Sequence, residues 1–276
     1  MNRKIAIGVV TYMPGKALTF RLQCAIDSGF SVYVFDNSPE NELIRKFCKS
    51  FKSDDVRYIT CGKNVGLGFG ISSVCAQAYY DSYPALIFFD QDTVFDYNTL
   101  SFIEKFYDQN SSIASNYSAV LFNSKNYASD GGENQLIFKD ILMAINSGCL
   151  FFLENLKKIN WMNERYFVDC VDYEFCLNSS NNNFKIGECS STPGFDHESE
   201  QDDDKYSIFG KIYVLRAYSI TRVLDAVSAS IRLIITSIVT RNIPYTLEIS
   251  RLLAGYLFYQ FIARLFSNSK IKETGV

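Results

Sequence analysis

An α/β domain built on a mostly parallel sheet, flanked by helices and followed by a helical extension, is the fold class this sequence predicts. Three observations predict it. Short β-rich runs alternate with amphipathic stretches from Lys4 to about Asp92, polar residues collect where those runs end, and beyond Ile208 the pattern changes to long apolar helices. Alternation at that spacing builds βαβ units, in which each helical crossover returns the chain to the same edge of the sheet. Ligands of such sheets gather at the carboxyl ends of the strands. The pattern change places a main domain over residues 1–205 and a helical extension over 206–276.

The elements follow in order. `KIAIGVVTY` is the first strand, its apolar run being too short for a leader peptide. Lys16 to Ser28 is a helix, `SVYVFDN` a strand, Asn41 to Phe51 a helix, `VRYIT` a strand, Gly70 to Tyr80 a helix and `ALIFFD` the fourth strand. Thr11 and Tyr12 end the first strand, Asp36 and Asn37 the second, and Asp90 with Asp92 the fourth. From about Asn110 to Gln135 a polar connection rich in Ser and Asn carries one strand, `SAVLFN`. `LMAINSGCLFF` reads as a strand with a tight `NSG` turn, `DYEFCLNSS` as a short helix ending near `NNN`, and `FKIGEC` as a strand leading to the only histidine, His197.

In the extension, Val223 to Thr240 is interrupted by Asp225 and Arg232, and Tyr245 to Phe266 by Glu248, Arg251 and Arg264. A bilayer-spanning helix needs about 20 mostly uncharged residues. The pattern fits an amphipathic pair that packs on the main domain, on a second subunit of a homo-oligomer, or on a membrane surface.

At 276 residues and 47% hydrophobic, the chain is long enough for one large domain with an appendage. A net charge of −3, with basic residues spread along the chain, excludes the electrostatic footprint of a duplex nucleic-acid binder. The eight cysteines form no CxxC pair and most sit in apolar patterns, as buried thiols of a reducing cytosol do.

`LIFFDQDTVF` carries the first chemical signal: a buried strand ends in two carboxylates at positions i and i+2. Unpaired buried charge costs several kcal/mol, so the pair needs either a cation or water. A solvated strand-end loop is the plain alternative, and an oxygen-rich site for Mg²⁺ or Mn²⁺ the functional one. `GKNVGLGFGIS` is the second signal. It places Asn64, Gly66, Gly68 and Gly70 in a loop before a helix, where missing side chains let a nucleotide approach backbone amides. Its GxGxG spacing, after the third strand, does not fit a dinucleotide fingerprint.

Taken together and in order, `VVTY`, `VFDNSPEN`, `KNVGLGFGIS`, `FFDQDT`, `NSGCLFF`, `YFVDCVDYEFCLN` and `FDHES` resemble a family 2 glycosyltransferase of GT-A fold, most of all its bacterial rhamnosyltransferase branch. The resemblance spans roughly residues 4 to 200. It implies that Thr11, Tyr12 and Asp36 line the nucleoside pocket and that Asn64, with Gly66 and its glycine loop, closes over the base. It further implies that Asp90 lies near the ribose, and that Asp92 and His197 ligate the Mg²⁺ or Mn²⁺ that holds the diphosphate. Asp196 and Glu198 would favour a cation beside His197. The family's acidic motif aligns with Val171, Asp172 and Glu174, which implies Asp172 as general base, with Asp169 and Glu174 in structural or orienting roles. Val171 stands where the family carries a first acid and Asn178 where an arginine is common. `RAYSITRV` departs from the family's tail at Ser219 and Val223.

The reaction so implied moves a hexosyl group, L-rhamnosyl from dTDP-rhamnose or a sugar from a UDP donor, onto a polysaccharide or lipid-linked oligosaccharide of the bacterial surface. It takes place in the cytoplasm or at the inner face of the cell membrane. Two other readings stand beside it. `LIFFDQDTV` also looks like the nucleophile motif of haloacid dehalogenase-type phosphohydrolases, with Asp90 as nucleophile, although that motif normally opens the fold and here three βα units precede it. The domain could also serve as a non-catalytic scaffold in glycan assembly.

Overall fold

The computed structural model describes residues 4–127, 136–193, 196–197, 204–208, 211–215 and 217–265, with the backbone alone at 196–197, 204–208 and 211–215. The chain divides into two compact units, residues 1–198 and 199–276. The first unit opens with β1 (Ile5–Thr11), α1 (Lys16–Asp27), β2 (Val32–Asp36), α2 (Glu42–Lys49), β3 (Val56–Ile59), α3 (Leu67–Tyr80) and β4 (Ala85–Asp90). It continues through β5 (Thr93–Val94), α4 (Tyr97–Asn110), a 3-10 turn at Ser111–Ser115, β6 (Tyr117–Phe122), β7 (Phe138–Ile141) and β8 (Cys149–Phe152). It closes with α5 (Leu153–Lys158), α6 (Val171–Asn181), β9 (Lys185–Cys189) and β10 (Asp196–His197).

Eight strands form one sheet in the order β3-β2-β1-β4-β8-β6-β9-β7. β1 runs parallel to β2 and β4, β2 parallel to β3, and β6 parallel to β9, while β8 is antiparallel to β4 and β6, and β7 to β9. Parallel register explains why the strand ends converge. Thr11 lies opposite Asp36, and Val10 opposite Asp90.

Alternation along β1 builds the two faces. Ile5, Ile7 and Val9 join Leu18 and Leu22 of α1, Ile44 of α2 and Leu100 and Ile103 of α4 in one apolar core. The opposite face takes α3, whose approach depends on missing side chains. A Cβ at Gly8 would lie 3.1 Å from the Val74 side chain of α3, and one at Gly70 would meet Val10 at 2.8 Å.

That packing corrects one sequence expectation. Gly68 and Gly70 are not in a loop: α3 begins at Leu67, so both lie inside its first turns, where they admit neighbouring backbone and β1 rather than a ligand. α4, α5 and β7 appear where the sequence pattern predicts no element. α4 has its own start signal, since Asp96 Oδ1 accepts from Thr99 N–H at 2.9 Å. The strand predicted over `LMAINSGCLFF` is confined to Cys149–Phe152.

The second unit holds the hairpin of β11 (Asp204–Ile208) and β12 (Lys211–Leu215), then α7 (Ile220–Val239) and α8 (Ile243–Leu265). α7 and α8 pack on one another, and Ala226, Ala229, Leu233, Tyr245, Ile249 and Ala263 are buried. Leu224, Ile231, Ile235 and Ile238 of α7 and Leu247, Phe258, Phe261 and Leu265 of α8 remain exposed. Among the described residues, no helix is long and apolar enough to cross a membrane.

Candidate active site

The carboxyl edge of β1, β2 and β3 is tied together by Asp36. Its side chain is fully buried. Oδ1 accepts from Ser38 N–H at 2.9 Å, Ser38 Oγ at 3.1 Å and Thr11 Oγ1 at 3.3 Å, and Oδ2 accepts from Tyr58 Oη at 2.9 Å. A carboxylate engaged on both oxygens builds a wall rather than presenting an open acceptor. Asp36 and Thr11 therefore shape this edge from within, whereas Tyr12 is 54% exposed at its rim. Tyr12 N–H is anchored to Gln91 Oε1 at 2.8 Å.

Asn37, next along, clamps the glycine loop. Its Oδ1 accepts from Val65 N–H at 3.0 Å and its Nδ2 donates to the Gly66 carbonyl at 3.2 Å. Asn64 is exposed, and its Oδ1 accepts from Gly66 N–H at 3.0 Å, closing the turn that starts α3. Gly66 has φ +91°, and a Cβ there would lie 2.6 Å from the Phe167 carbonyl oxygen. Gly66→Ala therefore combines left-handed strain with a backbone collision. We expect it to destabilise the fold by more than about 1 kcal/mol, visible as a fall in Tm.

The acidic turn is held from beneath. Asp90 N–H donates to Ser147 Oγ at 3.1 Å, and Ser147 Oγ lies 2.7 Å from Thr93 Oγ1. Arg21 Nη1 donates to the Gln91 carbonyl at 2.7 Å. Asp92 is half-buried. β5, immediately after it, pairs antiparallel with β10, which sets His197 opposite Thr93. The backbone thus returns the histidine to the acidic turn. Its side chain, like Glu198 as a whole, lies outside the described residues. Among the described side chains, no three His, Cys, Asp or Glu groups form a metal cluster. A half-buried carboxylate such as Asp92 is the kind of oxygen donor that divalent cations such as Mg²⁺ and Mn²⁺ take.

Asp172 enters from α6. Cys170, just before the helix, is left-handed at φ 64°, an uncommon conformation for a residue with a side chain. Asp172 Oδ1 accepts from Tyr173 N–H at 2.9 Å. Burial pushes its carboxyl up to about 7 against that bond, with the charges of Asp90 and Asp169 adding to the rise. The thiol of Cys149, at the start of β8, is also raised, by burial first and then by Cys176, Asp172 and Asp90. Asp90 and Asp172 therefore both act on the Cys149 thiol.

The structure groups the predicted residues into three clusters: Thr11 with Asp36, Asn64 with Gly66, and Asp90 with Asp172. Ser147, Thr93, Gln91 and Tyr58 support these clusters and carry no signal at sequence level. `NSG` reads there as a turn, and nothing in it tells that its serine reaches the acidic strand end.

An eight-stranded mixed sheet flanked by helices, with polar and acidic residues along the carboxyl ends of its first strands, defines an α/β domain, and its architecture is the GT-A fold. Residues 7–158, more than half of the chain, match the family described as glycosyl transferase family 2, and the chain belongs to that family. This sets aside the dehalogenase-type reading of Asp90. No curated protein matches the chain in sequence. Among solved structures, S. aureus TarS 1–349 is similar at 19% identity and a TM-score of 0.50, over 71% of this chain and 60% of that one. GalNAc-T7 with UDP, GalNAc and Mn²⁺ is similar at 9% identity and a TM-score of 0.55, over 82% of this chain and 47% of that one. The chain thus spans less than two thirds of either neighbour, and at these identities the likeness is one of fold.

Proposed function

We propose that the protein is an inverting glycosyltransferase that moves a sugar from a nucleotide-diphosphate donor to a hydroxyl of a glycan or lipid-linked acceptor. One observation carries the reading. Asp172, half-buried in the first turn of α6, lies close enough to the acidic end of β4 for the charge of Asp90 to act on its carboxyl, which desolvation pushes up to about 7. A general base works best with a pKa near the operating pH. Asp172 takes the acceptor proton as the hydroxyl oxygen attacks the anomeric carbon from the side opposite the diphosphate. Thr11, Tyr12 and Asp36 form the nucleoside wall, Asn64 and Gly66 the loop over the base, and Asp90 the ribose side. Asp92 and His197 would hold Mg²⁺ or Mn²⁺, which supplies positive charge to the diphosphate.

The sequence resemblance supports a finer assignment: L-rhamnose from dTDP-rhamnose as donor sugar and a bacterial surface polysaccharide as product. Transfer occupies residues 1–205. The exposed apolar positions of α7 and α8 support peripheral contact of the extension, residues 206–276, with the inner face of the membrane. Calorimetry of the purified protein with dTDP-rhamnose, UDP-glucose, UDP-galactose and GDP-mannose, with and without Mn²⁺, tests the donor. Metal-dependent binding of one of them is expected; a folded protein that binds none overturns the reading. Flotation with anionic vesicles checks the membrane contact, and protein left entirely in the soluble fraction rejects it.

A further inference from the structure

Glu174 is a buried acid for which the transfer chemistry has no use. It lies two residues beyond Asp172 on α6, so it points to a different side of the helix. It is 8% exposed, and its Oε1 accepts from Asn163 Nδ2 at 3.1 Å. Its Oε2 has no hydrogen-bond partner among the described residues. Burial raises its pKa. The geometry uses one carboxyl oxygen as an acceptor and leaves the other without a partner among the described residues.

Asn163 belongs to a strap, residues 159–167, that is bonded on both sides. Toward α3, Leu67 N–H donates to the Phe167 carbonyl at 2.6 Å, Met162 N–H donates to Ser72 Oγ at 3.1 Å, and a Cβ at Gly68 would meet the carbonyls of Tyr166 and Asn163 at 2.9 and 3.1 Å. Toward α6, Asn178 Nδ2 donates to the Ile159 carbonyl at 3.0 Å. Within the strap, Asn163 Oδ1 accepts from Arg165 N–H at 3.1 Å, and Tyr166 N–H donates to the Asn163 carbonyl at 3.1 Å. Asn160 and Trp161 are both left-handed, at φ 65° and 64°. Two such residues in succession persist only where their surroundings hold them. Asn163 is thus the point at which the strap, α6 and the backbone behind the glycine loop meet.

We propose that Glu174 and Asn163 are positioning residues: their hydrogen bond sets α6 in register against the strap and the glycine loop, and so aims Asp172 at the acceptor. The catalytic consequence rests on the transfer reading; the tie itself does not. The glycine loop keeps its own anchors through Asn37 and Asn64, so loss of the tie displaces the base more than the donor. A displacement of about 1 Å at a reacting group costs up to about 100-fold in rate.

The test compares wild type, Glu174→Ala, Glu174→Gln and Asn163→Ala in three measurements: hydrolysis of the donor identified by calorimetry, its pH profile, and amide hydrogen exchange. Asn163→Ala breaks the same bond from a half-buried position and covers the case in which Glu174→Ala does not fold. In both alanine variants we expect kcat to fall about 10- to 100-fold with donor KM nearly unchanged. The midpoint of the pH profile falls as water reaches Asp172, and exchange rises at 163–167 and at the start of α6. Glu174→Gln, with the same acceptor and no charge, restores all of these. Glu174→Gln as impaired as Glu174→Ala, or alanine variants with unchanged kcat, pH midpoint and exchange, overturn the proposal. Wild type that binds no donor, with exchange still rising in the alanine variants, overturns the transfer reading and leaves the tie.

Discussion

Asp172→Asn lowers turnover by about 10²- to 10⁴-fold, the range a positioned base contributes, while donor affinity stays nearly unchanged. Asparagine keeps the shape of the side chain and its acceptor toward Tyr173 N–H, and removes only the capacity to take a proton. Donor affinity that falls together with turnover would place Asp172 on the donor side instead. The pH dependence follows from the same environment. Since burial raises the Asp172 carboxyl to about 7, the wild-type rate should climb with pH through that region and level off above it. The climb should be missing from the residual rate of the variant.

Stability should move in the opposite direction. The unfolded carboxyl ionises near its ordinary value of 3.8, whereas the folded one keeps its proton to about 7. Between these values the folded state binds more protons, so the contribution of Asp172 to stability is fully present below the lower value and declines as pH rises to the upper one. Asp172→Asn should therefore be more stable than wild type at pH 8, with the difference vanishing near pH 4. Denaturant midpoints at the two pH values check this. An acid kept at a cost in stability for its chemistry is the expected trade-off at an active site.

Asp92→Asn has the second largest expected effect: Mn²⁺-dependent donor binding is lost, while metal-free nucleotide binding changes little. Even groups that only orient a metal ligand contribute about 10- to 100-fold in metal affinity, so a carboxylate proposed to bind the ion directly should contribute at least as much. Calorimetry with the donor, with and without Mn²⁺, reads it. Equal Mn²⁺ dependence in wild type and variant would remove Asp92 from the metal site. Ser147 offers a graded comparison, because it reaches the acidic turn through Asp90 N–H and Thr93 and not through the ion.

Much of this was readable from local pattern. Alternating apolar runs announce β1 to β4 because a buried parallel strand must be apolar along its length. Polar residues at their ends stand out against that background, which is why Thr11, Asp36, Asp90 and Asp92 are legible as a set. α4 and α5 were not, since their apolar positions follow the core of a sheet whose geometry is not local. The glycines misled in part. Gly66 does occupy the turn that its positive φ requires, but Gly68 and Gly70 are glycine because a neighbouring backbone and β1 lie where side chains would go.

What the order of residues established, then, is the α/β class, the acidic strand end and the glycine-marked turn before α3, all of them consequences of periodicity and residue type, while Asp172 stands out through the family resemblance. Only folding decided the rest. Asp36 lies sealed behind Ser38, Thr11 and Tyr58 because parallel register aligns three strands, and Ser147 supports the acidic turn from 57 residues away. His197 returns opposite Thr93 by strand pairing, and Glu174 spends its buried carboxyl on Asn163. Contacts between distant segments depend on how the sheet closes, and no short stretch of sequence carries that information.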